Sequence, residues 1–246
     1  MKGIDVSRWQ GVIDWGKVKA SGIDFAILKC GGSDAGCYTD RTFEYNYANA
    51  KAHGIKLGAY YFVGVDCVNY KAGVETAKRM LAICNGKDFE LPLFIDCEAQ
   101  APAYKSGITD SVLGFYNCMR ENGRSAGVYA SAVSGFKDRI DDSKIKHIPH
   151  WVAQYRDTLG YKGEWLIWQK SSKGRVSGIT GNVDIDEMKG VVKMAKATDV
   201  QVVCEVIVGN WGVGPDREKR LTEAGYNAAD VQKHVNAVYA LFKKGV

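Results

Sequence analysis

Residues 56–98 read KLGAYYFVGVDCVNYKAGVETAKRMLAICNGKDFELPLFIDCE, and this stretch decides the fold class. Lys56–Val63 is an aromatic and aliphatic run set between Gly54 and Gly64, which reads as a strand. Val74–Cys84 (VETAKRMLAIC) has helix-forming residues and ends near Gly86, the glycine stop expected past a helix C-terminus. Pro92–Glu98 then returns as a second apolar strand. A strand, a helix and a strand in that order make the crossover unit of a parallel sheet.

The same alternation extends both ways along the chain. Lys2–Val6, Asp24–Cys30, Ser125–Ala130, His150–Tyr155, Glu164–Lys170 and Asn182–Asp186 read as further strands. Phe43–His53 reads as a helix stopped by Gly54, and Thr109–Asn122 as one capped by Thr109 or Asp110 and closed by Gly123. Eight strands within about 190 residues argue for closure into a barrel, an α/β fold. Only about eight residues separate the sixth and seventh segments, fewer than the dozen a parallel crossover needs. The barrel is therefore expected to be irregular there, lacking helices or carrying an antiparallel strand.

At 246 residues, 46% hydrophobic and 25% charged, the chain is neither disordered, collagen-like nor a coiled coil. No apolar stretch approaches the roughly 18 residues of a membrane helix, so no membrane insertion is expected. The opening MKGIDVSRWQ lacks the apolar core of a signal peptide, which implies synthesis in a cytoplasm. The net charge of +5 lies entirely before residue 197 and forms no run of Lys or Arg, too weak a surplus for a nucleic-acid partner. The seven cysteines show no zinc spacing and read mostly as buried free thiols; only Cys30 and Cys37 are close enough in sequence to suggest a disulfide. His53, His147, His150 and His234 form no ligand pattern, so neither metal nor cofactor is expected.

A second composition begins near Lys196. Asp199–Val208, Asp216–Ala224 and Ala228–Lys244 have helix-period apolar positions, with Asp199, Asp216 and Asn227 as N-caps. Leu221, Val231, Val235, Val238 and Leu241 would form one small core, giving a three-helix bundle. The expected boundaries are a barrel over 1–193 and a bundle over 198–246.

Chemistry concentrates at Leu91–Glu98. Side chains alternate across a strand, so Asp96 and Glu98 share a face and Cys97 points away. In a parallel barrel with that face inward, both carboxyls lie at the C-terminal mouth. Two acids so close repel, and the less solvated one keeps its proton toward neutral pH. Glycosidic cleavage needs such a pair, one carboxyl to protonate the leaving oxygen and one to stabilise or attack the oxocarbenium centre. A solvated loop start or a divalent-ion site has the same short pattern. Asp5 and Asp184 end two other strands, and if the first and last strands are neighbours these acids meet across the seam.

Residues 1 to about 190 resemble glycoside hydrolase family 25, the Chalaropsis-type lysozymes that include many phage endolysins. The matching pieces are GIDVSRWQG at 3–11, DFAILKCGGSDAGCYTD at 24–40, LGAYYFVG at 57–64, PLFIDCE at 92–98, HWVAQY at 150–155 and IWQKSSKGRVSGITGNVDID at 167–186. The resemblance implies an irregular eight-stranded (β/α) barrel that cleaves the β-1,4 bond between N-acetylmuramic acid and N-acetylglucosamine in bacterial peptidoglycan. Carried over by position, it makes Glu98 the catalytic acid, Asp96 its partner, and Asp5 and Asp184 supporting carboxylates. Tyr61 and Asp186 depart from the family's usual His and Asn and are expected to alter groove electrostatics. Tyr38, Tyr60, Phe62, Tyr129, Trp151 and Trp168 are candidates to line the sugar groove, and Lys29 a cation that tunes the acids.

VCEVIVGNWGVGPDREKRLTEAGYNAADVQKHVN at 203–236 resembles a cell-wall-binding repeat of phage muramidases, a three-helix bundle associated with muropeptide. Arg217, Arg220 and Tyr226 are its candidate contacts, by charge and stacking. One copy binds weakly, so avidity would call on a homo-oligomer or on the groove as a second site. The functional expectation is an endolysin, made without a signal peptide and acting on the wall after release. The alternatives are a catalytically silent peptidoglycan-binding protein and a hydrolase of another acetamido-sugar polymer such as chitin.

Overall fold

The computed structural model describes residues 1–189 and 200–243. Its strands are β1 (Lys2–Val6), β2 (Phe25–Gly32), β3 (Tyr38–Thr39), β4 (Lys56–Phe62), β5 (Leu93–Asp96), β6 (Ala126–Ser131), β7 (His150–Ala153), β8 (Ile167–Gly174) and β9 (Val183–Met188). All but β3 form a closed ring in the order β1, β9, β8, β7, β6, β5, β4, β2, and β1 pairs with β2 to close it. β3 is a short antiparallel addition to the end of β2. Neighbours run parallel from β1 through β2 and β4 to β8, while β9 lies antiparallel between β8 and β1.

The barrel is irregular where the sequence is, with one difference. β7 stops earlier and β8 starts later than the apolar runs suggest, at Ala153 and at Ile167. The freed residues let the chain return in parallel without a helix; the antiparallel strand is β9, reached from β8 by a direct reversal.

Helices α1 (Trp15–Ala20), α2 (Phe43–Ala52), α3 (Tyr70–Ile83) and α4 (Lys105–Glu121) pack outside the ring. α3 starts a turn before the expected Val74 because Asn69 Oδ1 caps it, accepting from the Ala72 N–H at 2.9 Å. α4 likewise starts ahead of Thr109, which is fully buried inside the helix and donates its hydroxyl to the Lys105 carbonyl. Five of the seven cysteines are buried free thiols; Cys37 and Cys204 are exposed free thiols, so Cys30 and Cys37 form no disulfide.

The ring interior is plugged by large side chains set against glycines on neighbouring strands. Phe25 faces Gly3, Ile27 faces Gly58 and Phe94 faces Gly127 across the ladders. A Cβ at Gly3 would lie 2.2 Å from the Phe25 ring, and one at Gly127 2.5 Å from Phe94. Gly3→Ala is therefore expected to destabilise the fold by about 1–3 kcal/mol through overpacking, read as a lower midpoint in urea unfolding.

The remaining helices, α5 (Val200–Ile207), α6 (Gly214–Glu223) and α7 (Ala228–Lys243), form a separate compact unit. Val202, Val203, Val206, Leu221, Val231 and Val235 make its core, with Trp211, Tyr226 and Val238 packed against it. Leu241, expected in that core, is 56% exposed. Asn227 caps α7 by accepting from the Asp230 N–H at 3.0 Å. Asp216 is not a cap, because Pro215 starts α6 earlier and leaves Asp216 in its first turn. The expected cap Asp199 and the boundary between 193 and 198 lie outside the described residues.

Candidate active site

Strand alternation brings carboxyls from three strands into the barrel. Asp5 and Asp184 are direct partners in the antiparallel β1–β9 ladder. Asp96 ends β5, beside Phe62 on β4 and Tyr129 on β6. Cys97 turns outward into the buried shell, and Glu98 follows on the inner side, open to solvent. The four expected acids therefore meet at the mouth formed by the C-terminal ends of the parallel strands.

Their environments differ. Asp96 is 4% exposed, and its Oδ1 receives no hydrogen bond from the described residues. Burial, and then the charge of Glu98, push Asp96 well above the usual carboxylate range, against the pull of Lys29 and Arg139. Glu98 is raised as well, by loss of water, and is drawn back by the same two cations. Burial lifts Asp184 to about 6, with the charge of Glu98 adding to it. The deeper Asp96 thus holds its proton more firmly in the free protein, while Glu98 stands where a substrate oxygen can reach it.

Lys29 is enclosed by rings. Its Nζ lies 4.6 Å from the centre of the Phe62 ring and 5.8 Å from those of Tyr38 and Tyr60. Trp151 is the floor: it is 2% exposed and meets Tyr60, Phe94 and Tyr129 edge-on at centroid distances of 5.8, 5.4 and 4.6 Å. Tyr129 and Trp151 are too buried to present a ring face to a ligand; they brace the acids instead. Tyr38 is partly exposed at the rim, its hydroxyl donating to Asp34 Oδ1 at 2.9 Å.

Trp168 is not brought to the acids. Its neighbour Gln169 points inward and hydrogen-bonds Asp5, so Trp168 takes the outer face, where its Nε1 donates to the Gln154 carbonyl at 2.8 Å. Tyr61 also faces outward, fully buried with its hydroxyl on the Gly32 carbonyl at 2.8 Å, and does not shape the groove.

Several residues of the site escaped sequence reasoning. Gln169 links Asp5 to the hydroxyls of Tyr129 and Tyr155; strand alternation from the buried Ile167 is the signal that would have found it. Arg139 comes from the loop after β6, anchored by its Nε on the Gln100 carbonyl, and no local pattern announces it. Trp9, 77% exposed just past β1, has the Arg8 guanidinium 5.1 Å from its ring centre and widens the rim. A separate groove of about 710 Å³ beside α1 and α2 holds one carboxylate, Asp14, already tied to Lys17, and so lacks an acid pair.

In the helical unit, Arg217 donates to Gln232 Oε1 at 2.6 Å and lines a groove of about 530 Å³ with Leu221, Lys233 and Asn236. Arg220 instead donates to the Asn210 carbonyl at 3.2 Å, and Tyr226 packs edge-on to Trp211 at 5.9 Å, so both serve the bundle itself.

A proton-holding acid beside a second carboxyl, at the mouth of a barrel walled by aromatic rings, is the equipment of an enzyme that cleaves glycosidic bonds. Residues 4–179 match the profile of glycosyl hydrolases family 25, and the chain belongs to that family. Residues 200–238 match the CW_7 repeat. The chain is 28% identical to the autolytic lysozyme of Clostridium acetobutylicum over 76% of its own length and 55% of the relative's. It is 29% identical to lysozyme M1 of Streptomyces globisporus, covering 77% of this chain and 68% of that one. Among solved structures, the CTP1L endolysin aligns with a TM-score of 0.68 at 27% identity, over 77% of this chain and 66% of that chain. The bacterial lysozyme of Streptomyces coelicolor aligns at 0.62 and 28%, over 78% and 93%. The chain thus spans little more than half of the autolytic lysozyme and about two thirds of the endolysin.

Proposed function

We propose that the protein is a lytic muramidase of the endolysin kind, of phage or prophage origin, which hydrolyses the β-1,4 bond between N-acetylmuramic acid and N-acetylglucosamine in peptidoglycan. The observation that carries this reading is the pairing of solvent-facing Glu98 with buried Asp96, both raised, inside a family 25 barrel. Similarity to proteins named lysozymes and endolysin supports the substrate. Glu98 donates its proton to the leaving glycosidic oxygen. Asp96 gives up its proton to solvent as the sugar gains positive character and, ionised, stabilises the reacting ring; water adds to the sugar and the proton it releases restores the acid, while Asp5 and Asp184 hold the charge balance around it. Lys29, Tyr38, Tyr60 and Phe62 bound the sugar site.

Incubation with purified peptidoglycan tests the reading. Soluble fragments with N-acetylmuramic acid at the new reducing end, identified by mass spectrometry, are expected. Fragments ending in N-acetylglucosamine, or hydrolysis of chitin alone, would contradict it, as would binding without release.

The helical unit supplies attachment in this proposal, through the groove of Arg217, Lys233 and Asn236 acting on muropeptide carboxylates. Arg217→Ala is expected to reduce co-sedimentation with walls at least about threefold while sparing turnover of small soluble glycans. Undiminished sedimentation would remove Arg217 from the binding surface.

A further inference from the structure

Asp186 occupies a place that the acid pair of the mouth does not use. It sits on β9 with 1% of its surface exposed. Its Oδ1 accepts from Trp151 Nε1 at 2.8 Å, and its Oδ2 receives no N–H or O–H from the described residues. Asp186 stands opposite Gly3 in the β1–β9 ladder, diagonal to another acid on the same face, Asp5, itself 6% exposed, and the two carboxyls interact. Asp5 Oδ2 accepts from Gln169 Nε2 at 2.7 Å. In this orientation the Gln169 Oε1 takes the hydroxyls of Tyr129 and Tyr155 at 2.9 and 3.1 Å, which leaves its NH2 toward Asp5. Two buried carboxylates set side by side repel each other unless one of them carries a proton, which the bare Oδ2 of Asp186 can then accept.

We propose that Asp5 and Asp186 share one proton as an acid–carboxylate pair, and that Asp186 is the positioning residue which holds Asp5 in line with Asp184 and the acids of the mouth. The positioning role rests on the muramidase reading; the shared proton does not.

The surroundings favour this state from every side. β9 adds the charge of Asp184, which with that of Asp186 raises Asp5 beyond what burial does. β8 and β7 offer the neutral donors Gln169 and Trp151, and β4 and β6 the phenols Tyr60 and Tyr129, themselves raised by burial and the surrounding acids. The cations Lys29 of β2 and Arg139 act on Asp96 and Glu98. Burial lifts Asp186 to about 7. When the shared proton leaves, two adjacent negative charges face Asp184.

The Trp151 indole N–H, bonded directly to Asp186, reports the proton by proton–nitrogen NMR on the full chain without substrate, its signal assigned by its loss in Trp151→Phe. The resonance is expected to pass through a step at or above about pH 7 in the native protein. The step should vanish in Asp186→Asn, whose amide oxygen still accepts from Trp151 and whose NH2 replaces the shared proton toward Asp5. Asp186→Asn should retain lytic activity within about threefold, whereas Asp186→Ala should lose at least about tenfold in kcat with KM nearly unchanged. A native resonance without a step, or an equal step in Asp186→Asn, overturns the shared proton. Native kcat in Asp186→Ala overturns the positioning role. A protein that shows the step yet releases no wall fragments supports the pair and sinks the muramidase reading instead.

Discussion

Glu98→Gln is expected to lower the rate of peptidoglycan cleavage by about 10²–10⁴-fold, the range that a positioned general acid contributes. The amide matches the shape of the protonated acid but has no proton to give, so the fold and the affinity for walls should be unchanged. Burial raises Glu98 while Lys29 and Arg139 restrain it, and a sugar laid over the mouth would remove more water and raise it further. Glu98 must be protonated to act, so native activity should decline as pH rises through its elevated pKa. Turbidity and reducing-end assays across pH check both statements. A fully active Glu98→Gln enzyme would remove Glu98 from the chemistry.

Asp96→Asn should separate activity from stability. Asp96 binds its proton more tightly in the folded chain than in the unfolded one, where the usual value is near 3.8. The folded state therefore carries no penalty from it below about pH 4, and a growing one as pH rises. Asparagine abolishes that penalty. The variant should be more stable than the native protein by at least about 1 kcal/mol at pH 7, with the gain shrinking toward zero near pH 4. Its activity should drop about 10²-fold or more, because the transition state needs the ionised carboxylate that the resting site resists forming. Paired urea titrations at the two pH values, with rates on the same preparations, give the test. A destabilised variant at pH 7 would contradict the account of Asp96, and a native rate would contradict its role.

How far the sequence speaks depends on how local each feature is. The strands from Lys2–Val6 to His150–Ala153 stand out because each is an apolar run closed by turn residues, and the D-x-E of β5 follows from strand parity alone. The pairing of Asp5 with Asp184 also follows once the ring is closed. Short polar cues spoke less clearly: Asn69 moves the start of α3, and the three-residue 3₁₀ turn at Pro102–Tyr104 runs directly into α4. Trp168 has the ring of a groove residue but the wrong parity, since its neighbour Gln169 takes the inner face. Arg139 has no local signature, since only the tertiary course of its loop brings its charge to the acids.

The antiparallel β9 has a temporal consequence. Its Asp184 completes an acid set begun at Asp5, and the neighbouring Gln169–Asp5 bond already spans 164 positions. A nascent chain still threading through the ribosome cannot own this constellation until its final barrel strand has emerged. A fragment that ends before Val183 lacks both Asp184 and the strand that closes the ring, so the acid set is whole only once the last stave is fitted.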